Sequence, residues 1–175
     1  MVKSLLKSVL PEPLRKTAKA INTVRSQLPD PVLVYQMGKV GSSTVSTSLR
    51  NAGIKNLHVH FIGEHWSKAV QYHWEDGSGL PQHLYRGRVL RYWLRAKSTP
   101  VQVITLVRDP VARKISSTFQ LQRYHPDLPT DDASAATQWL HENVDFDESP
   151  PPESVWFDRE VKAVLDIDVY NHPFD

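Results

Sequence analysis

The junction at residues 32–44 constrains this chain more than any other feature. Val32-Leu33-Val34-Tyr35 is a short, uninterrupted apolar run, the pattern of a strand buried on both faces. It leads directly into Gln36-Met37-Gly38-Lys39-Val40-Gly41-Ser42-Ser43-Thr44, after which a helix is predicted to run to Asn51 and stop near Gly53. A buried strand feeding straight into a helix is half of a crossover unit, because parallel strands cannot be joined by a tight hairpin. The pattern recurs. Leu57–Ile62 reads as a second strand, and helices are predicted at 64–75 and 82–97, on either side of the loop Asp76–Pro81. Val101–Val107 reads as the clearest buried strand, followed by a helix that Asp109 caps and Pro110 opens. Helices at 131–144 and Glu153–Leu165, with the stiff turn Ser149–Pro152 between them, and a last short strand at Ile167–Tyr170 complete the chain. Alternating strands and helices imply an α/β fold with a central parallel sheet and helices on both faces. Ligands of such folds sit at the carboxyl ends of the strands, so the segments that leave those ends carry the functional reading.

At 175 residues the chain has room for one domain with a real core. Residues 1–29 form a basic arm of net charge +5, and residues 30–175, the predicted domain, carry −3. That body has no general basic field with which to hold a nucleic acid, so any anion site in it is local. In the arm Leu14, Ala18, Ile21 and Leu28 recur at loosely helical spacing, with Pro11 and Pro13 breaking the pattern before them. They predict a surface helix packed on the domain by that face. The alternative is a helix lying on an anionic membrane surface. Lys7 splits the apolar residues at the extreme N-terminus, and no stretch approaches the roughly 18 apolar residues of a membrane span. The expected location is the cytoplasm, with membrane association at its inner face as the extension. The absence of cysteine excludes a disulfide framework, an iron–sulfur cluster and a thiol nucleophile.

Two corners of the predicted sheet are built for anions. In the first, Gly38 and Gly41 let the backbone approach a ligand closely, and the N–H groups opening the helix converge where its dipole favours negative charge. Ser42, Ser43 and Thr44 add hydroxyl donors, Val40 a backbone N–H, and Lys39 a full positive charge. The lysine precedes the second glycine and no Gly-Lys-Ser/Thr occurs, so this is not the nucleoside-triphosphate form of such a loop. A plain strand–helix turn, with Ser and Thr merely capping, is the competing reading. In the second corner Arg108 stands where the third strand ends, with Ser116 about two helical turns further on. A guanidinium fork beside a hydroxyl suits a phosphate. On the second strand His58 and His60 share a face, and His60 lies nearer the carboxyl end, where it would accept a proton near neutrality. Glu64 and His65 are substitutes for that role. His58, His60, Glu64 and His65 also permit a metal-site reading.

Taken together, these motifs resemble the sulfotransferases that use 3′-phosphoadenosine-5′-phosphosulfate (PAPS), in particular a bacterial group of capsular polysaccharide synthesis proteins. Gln36–Thr44 resembles their 5′-phosphosulfate loop. Val107-Arg108-Asp109-Pro110 with Ser116 is similar to their 3′-phosphate motif, and Trp156-Phe157-Asp158, Asp166–Tyr170 and Pro173–Asp175 also look like that group. The resemblance implies a P-loop-type three-layer sandwich over residues 30–175. It implies in-line transfer of a sulfuryl group from PAPS to a hydroxyl of a carbohydrate acceptor, with no metal required. Gly38, Lys39, Val40, Gly41, Ser42, Ser43, Thr44, Arg108 and Ser116 would hold the donor. Lys39 would neutralise the leaving phosphate, and His60 or His58 would take the proton. Members of the group run longer, so the elements that close over the donor are expected to be missing or truncated here. A non-catalytic nucleotide- or glycan-binding relative is therefore the main alternative, ahead of a P-loop kinase or nucleoside triphosphatase. Tyr72, Trp74, Tyr85, Tyr92 and Trp93 could stack on sugars, and Arg86, Arg88, Arg91 and Arg95 could meet an acidic polysaccharide.

Overall fold

The computed structural model describes residues 11–63, 79–146 and 155–171. The helices are α1 (Glu12–Gln27), α2 (Ser42–Asn51), α3 (Gln82–Ala96), α4 (Pro110–Gln120), α5 (Ala133–Asn143) and α6, a π-helical segment (Phe157–Lys162) running on into Ala163–Leu165. The strands are β1 (Val32–Tyr35), β2 (Asn56–Val59) and β3 (Val103–Ile104). They form a parallel sheet of order β2-β1-β3, so the fold is α/β. The predicted helix at 64–75, with Glu64, His65, Tyr72 and Trp74, lies outside the described residues, as do Ser149–Pro152 and Pro173–Asp175.

The register assigns the faces. Leu33 pairs with Leu57 and Tyr35 with Val59, whereas Val34 pairs with His58. Side chains alternate along a strand and paired residues share a side, so Leu33, Tyr35, Leu57 and Val59 point one way. They join Val24, Leu90, Trp156, Phe157 and Val161 in the buried core. Asn56 and His58 point the other way, and there Ser46 Oγ of α2 donates to Asn56 Oδ1 at 2.6 Å while Asn56 Nδ2 donates to Ser46 O at 3.2 Å. Helices therefore touch both faces of the sheet.

Several elements differ from their sequence patterns. The second strand ends at Val59 rather than Ile62, because α6 captures the backbone beyond it: Trp156 Nε1 donates to His60 O, and the Ile62 and Gly63 amides donate to Glu160. The third strand keeps only two ladder positions, Val103 opposite Leu33 and Ile104 opposite Val34. In this register Tyr35, the last residue of β1, falls opposite residue 105, so residues 106–107 run past the end of the central strand, and Val107 is 75% exposed. Ile167–Tyr170 is a turn instead of a strand, closed by Tyr170 and Asn171 amides on Asp168 Oδ1. In α1 the prolines open the helix rather than break it. Its buried residues are Ala20 and Val24, while Leu14 and Ile21 are 56% and 39% exposed. Small Ala20 permits close approach to α3, and Lys16 Nζ to Leu80 O and Gln82 Nε2 to Lys16 O fasten the pair. No helix among the described residues is long and apolar enough to cross a membrane.

Candidate anion-binding site

The carboxyl edge of the sheet is where the predicted site residues fall. The Gln36 amide still donates to Val59 O, after which the chain leaves the ladder. Lys39 then adopts φ +71° and Gly41 φ +92°. Glycine reaches this left-handed region freely, but a side-chain-bearing residue there costs about 1–2 kcal/mol. Gly41 is the N-cap of α2, and no side chain caps that helix, whereas Asp109 caps α4 and Asp132 caps α5. Ser42, Ser43 and Thr44 therefore do not serve as ordinary caps. A Cβ built on Gly38 or Gly41 meets nothing within 4 Å, so open space borders the loop backbone at both glycines. The loop thus combines an uncapped helix start, backbone turned outward, and a lysine with no ion-pair partner among the described residues.

The second corner comes to the first. Arg108, four residues past the end of β3 rather than at the strand's end as predicted, donates from Nη1 to Lys39 O at 3.2 Å, so the segment after β3 and the loop after β1 are in direct contact. The Asp109 cap accepts from the Ala112 amide at 2.8 Å and fixes the start of α4 immediately behind Arg108. Ser116 lies half-buried on α4 and makes no hydrogen bond to Arg108 or to the loop.

His60 stands at the root of the loop. Its Nδ1 is 2.9 Å from Gln36 O. A carbonyl only accepts, so Nδ1 carries the proton and Nε2 keeps its lone pair. The ring meets His58 edge-on at 4.6 Å and His83 at 5.7 Å, and Arg86 Nη1 donates to His58 O. Burial pulls the His58 pKa down to about 4, with the charges of His60 and Arg86 acting in the same direction. Burial also lowers His60, against the opposing bond to Gln36 O. Both imidazoles are neutral at pH 7, the state a proton acceptor requires. Around them lie buried polar atoms with no partner: both amide atoms of the fully buried Gln36, His58 Nε2 and Arg86 Nε.

No family model, curated protein or solved structure matches this chain. The site's chemistry therefore rests on its own residues. Among the described residues no group of three or more His, Asp or Glu is placed to hold a metal ion. The metal reading of His58 and His60 depends on Glu64 and His65, outside the described residues.

One buried group escaped the sequence reading. Glu160 is wholly inaccessible, and its Oε2 accepts from Tyr35 Oη at 2.6 Å and from the Ile62 and Gly63 amides at 2.7 Å each. The signal was present: Glu160 falls on the inward face of its helix with Phe157, Val161 and Val164, and an acid inside an apolar stripe requires partners.

Proposed function

We propose that this chain is a sulfotransferase that moves a sulfuryl group from PAPS to a carbohydrate hydroxyl, on a P-loop-type three-layer fold. The observation that carries the reading is the bond from Arg108 Nη1 to Lys39 O, which brings two cationic corners together at one edge of the sheet. A donor with anionic groups at both its 3′ and 5′ positions needs two such corners side by side. The open space beside Gly38 and Gly41 and the unpaired Lys39 suit its 5′ end, and Arg108 its 3′ phosphate. In the transfer the acceptor oxygen bonds to sulfur as the bond from sulfur to the phosphate oxygen breaks. The hydroxyl proton goes to His60 Nε2, and the Lys39 ammonium offsets the charge that grows on the leaving phosphate. His58 packs edge-on against the His60 ring at 4.6 Å.

Calorimetric titration with adenosine 3′,5′-bisphosphate, without magnesium, tests the reading. Binding is expected, weakened at least tenfold in both Lys39→Ala and Arg108→Ala. No binding at millimolar ligand overturns it, and binding of magnesium–ATP in its place points to a kinase or nucleoside triphosphatase. Bisphosphate binding without sulfate transfer to any glycan identifies a non-catalytic relative.

A second element of the reading concerns α1. Leu14, Ala18 and Ile21 lie on one exposed side of a helix that also carries Arg15, Lys19 and Arg25. This favours contact with an anionic membrane surface at the inner face of the cytoplasmic membrane.

A further inference from the structure

The segment that carries His60 is held from one side by α6. Trp156 Nε1 donates to His60 O at 2.9 Å. One helical turn later Glu160 Oε2 takes the Ile62 and Gly63 amides. Three main-chain groups within the four residues 60–63 are thus bonded to one helix. Gly63 closes against it so tightly that a Cβ there would lie 2.5 Å from Arg159 O and 3.2 Å from the Glu160 carboxyl carbon. Tyr35, at the end of the central strand, donates to the same Glu160 oxygen, tying β1 to the bend. On the other side the His60 ring reaches Gln36 O, the first residue of the anion loop. The orientation of His60 is therefore set by two restraints, one on its backbone and one on its ring.

Three donors converge on a single oxygen, which suits the negative charge of a carboxylate better than a neutral amide oxygen. Glu160 Oε1 has no hydrogen-bond partner, so the hydrogen bonds of the group go to the bend and to Tyr35, with the charge of Arg91 also acting on it. An acid buried among Trp156, Phe157 and Val161 opposes folding unless its bonds offset the desolvation.

We propose that Glu160, with Trp156, is the positioning residue for His60: by fixing the bend at residues 60–63 it holds His60 Nδ1–H on Gln36 O and keeps Nε2 as the proton-accepting atom. The proposal rests on the reading of His60 as the base. Glu160 itself touches no reacting atom.

The test reads the His60 tautomer by long-range proton–nitrogen spectra of the imidazole rings, in wild type, Glu160→Gln and Trp156→Phe. Trp156→Phe deletes the donor to His60 O and some indole volume while keeping an aromatic ring in the core, so it decides the matter even if Glu160 variants fold poorly. Wild type is expected to show His60 with its proton on Nδ1. Either variant, once folded, should move His60 towards the Nε2–H form while His125 and His141, on other elements, stay unchanged. An unchanged His60 tautomer in both overturns the proposal. In the transfer assay Trp156→Phe should lower kcat at least tenfold with the KM for donor within twofold, and an equal loss of donor affinity would overturn it too. A wild-type chain that neither binds the bisphosphate nor transfers sulfate defeats the functional reading alone, since the tautomer measurement needs no substrate.

Discussion

Lys39 meets two demands that conflict. Its ammonium is assigned to the proposed anion site, yet its backbone occupies the left-handed region that side chains disfavour. Removing the side chain tests both at once. Lys39→Gly and Lys39→Ala should each lose at least tenfold in bisphosphate affinity. The glycine variant should nevertheless be the more stable of the two by about 1 kcal/mol in urea denaturation, since glycine's greater freedom in the unfolded chain offsets only part of the relief. Equal stability would show that the loop does not hold this conformation. His58 sets a pH dependence. Its folded pKa of about 4 lies below the ordinary 6.5, so between those values the unfolded chain binds a proton that the folded chain refuses. Stability should therefore fall as pH drops from about 6.5 through about 4. His60 acts with the same sign. Glu160, whose pKa burial raises from 4.5, acts with the opposite sign, losing stability as pH rises above 4.5. Comparison with His58→Asn isolates the histidine: its urea midpoint should vary less steeply with pH than that of wild type over this window, and parallel profiles would contradict the burial of the ring.

Local chemistry wrote some elements into the sequence plainly. Val32–Tyr35 forms the strand its unbroken apolar run predicts, and Asp109-Pro110 opens α4 with the bonded cap that the pair implies. The tight turn at Gly38–Gly41 after β1 was legible for the same reason, glycine spacing after an apolar run being a local fact; that Arg108 meets this loop was not, because it depends on how two distant segments pack. The ends of β2 and β3 were not legible. β2 stops where it does because Trp156 and Glu160, nearly a hundred residues away, take its backbone groups. β3 is short because its partner turns into the loop, and the buried face of α1 is chosen by α3. Ser116 keeps the expected spacing from Arg108 along the chain without a bond to it. At Gly87 of α3 a Cβ would stand 1.8 Å from Phe61 O, so α3 lies against the bend with no space for a methyl group. Gly87→Ala should cost about 2–3 kcal/mol, the upper part of the overpacking range, because backbone rather than a flexible side chain must yield. An unshifted melting temperature would refute that close approach. For α1, co-sedimentation with vesicles containing phosphatidylserine should be lost in the Leu14→Glu/Ile21→Glu double variant and retained with the apolar residues intact. Equal recovery of both proteins would remove the membrane reading.

Across the whole molecule the restraints are uneven. β1 and β2 share four paired positions and are tied further by Glu160, Tyr35 and His60. β3 shares two, and beyond them Arg108, just ahead of α4, donates to Lys39 O at the centre. The β3–α4 unit should therefore open more readily than the rest, because local opening follows the density of buried contacts and bonds. It is also the unit that carries one of the two proposed anion corners. A ligand that bridges Lys39 and Arg108 would add a link at that junction, and it stabilises only the state in which both corners are assembled. Amide hydrogen exchange makes this visible. Without ligand, amides of α4 should exchange faster than those of β1 and β2, and faster still in Arg108→Ala. Adenosine 3′,5′-bisphosphate should slow exchange at the start of α2 and in α4 together, while α1 and α3, on the opposite face of the sheet from α2, change little. Protection confined to α2 would mean that the ligand engages the loop alone, and the pairing of the two corners around one nucleotide would be wrong.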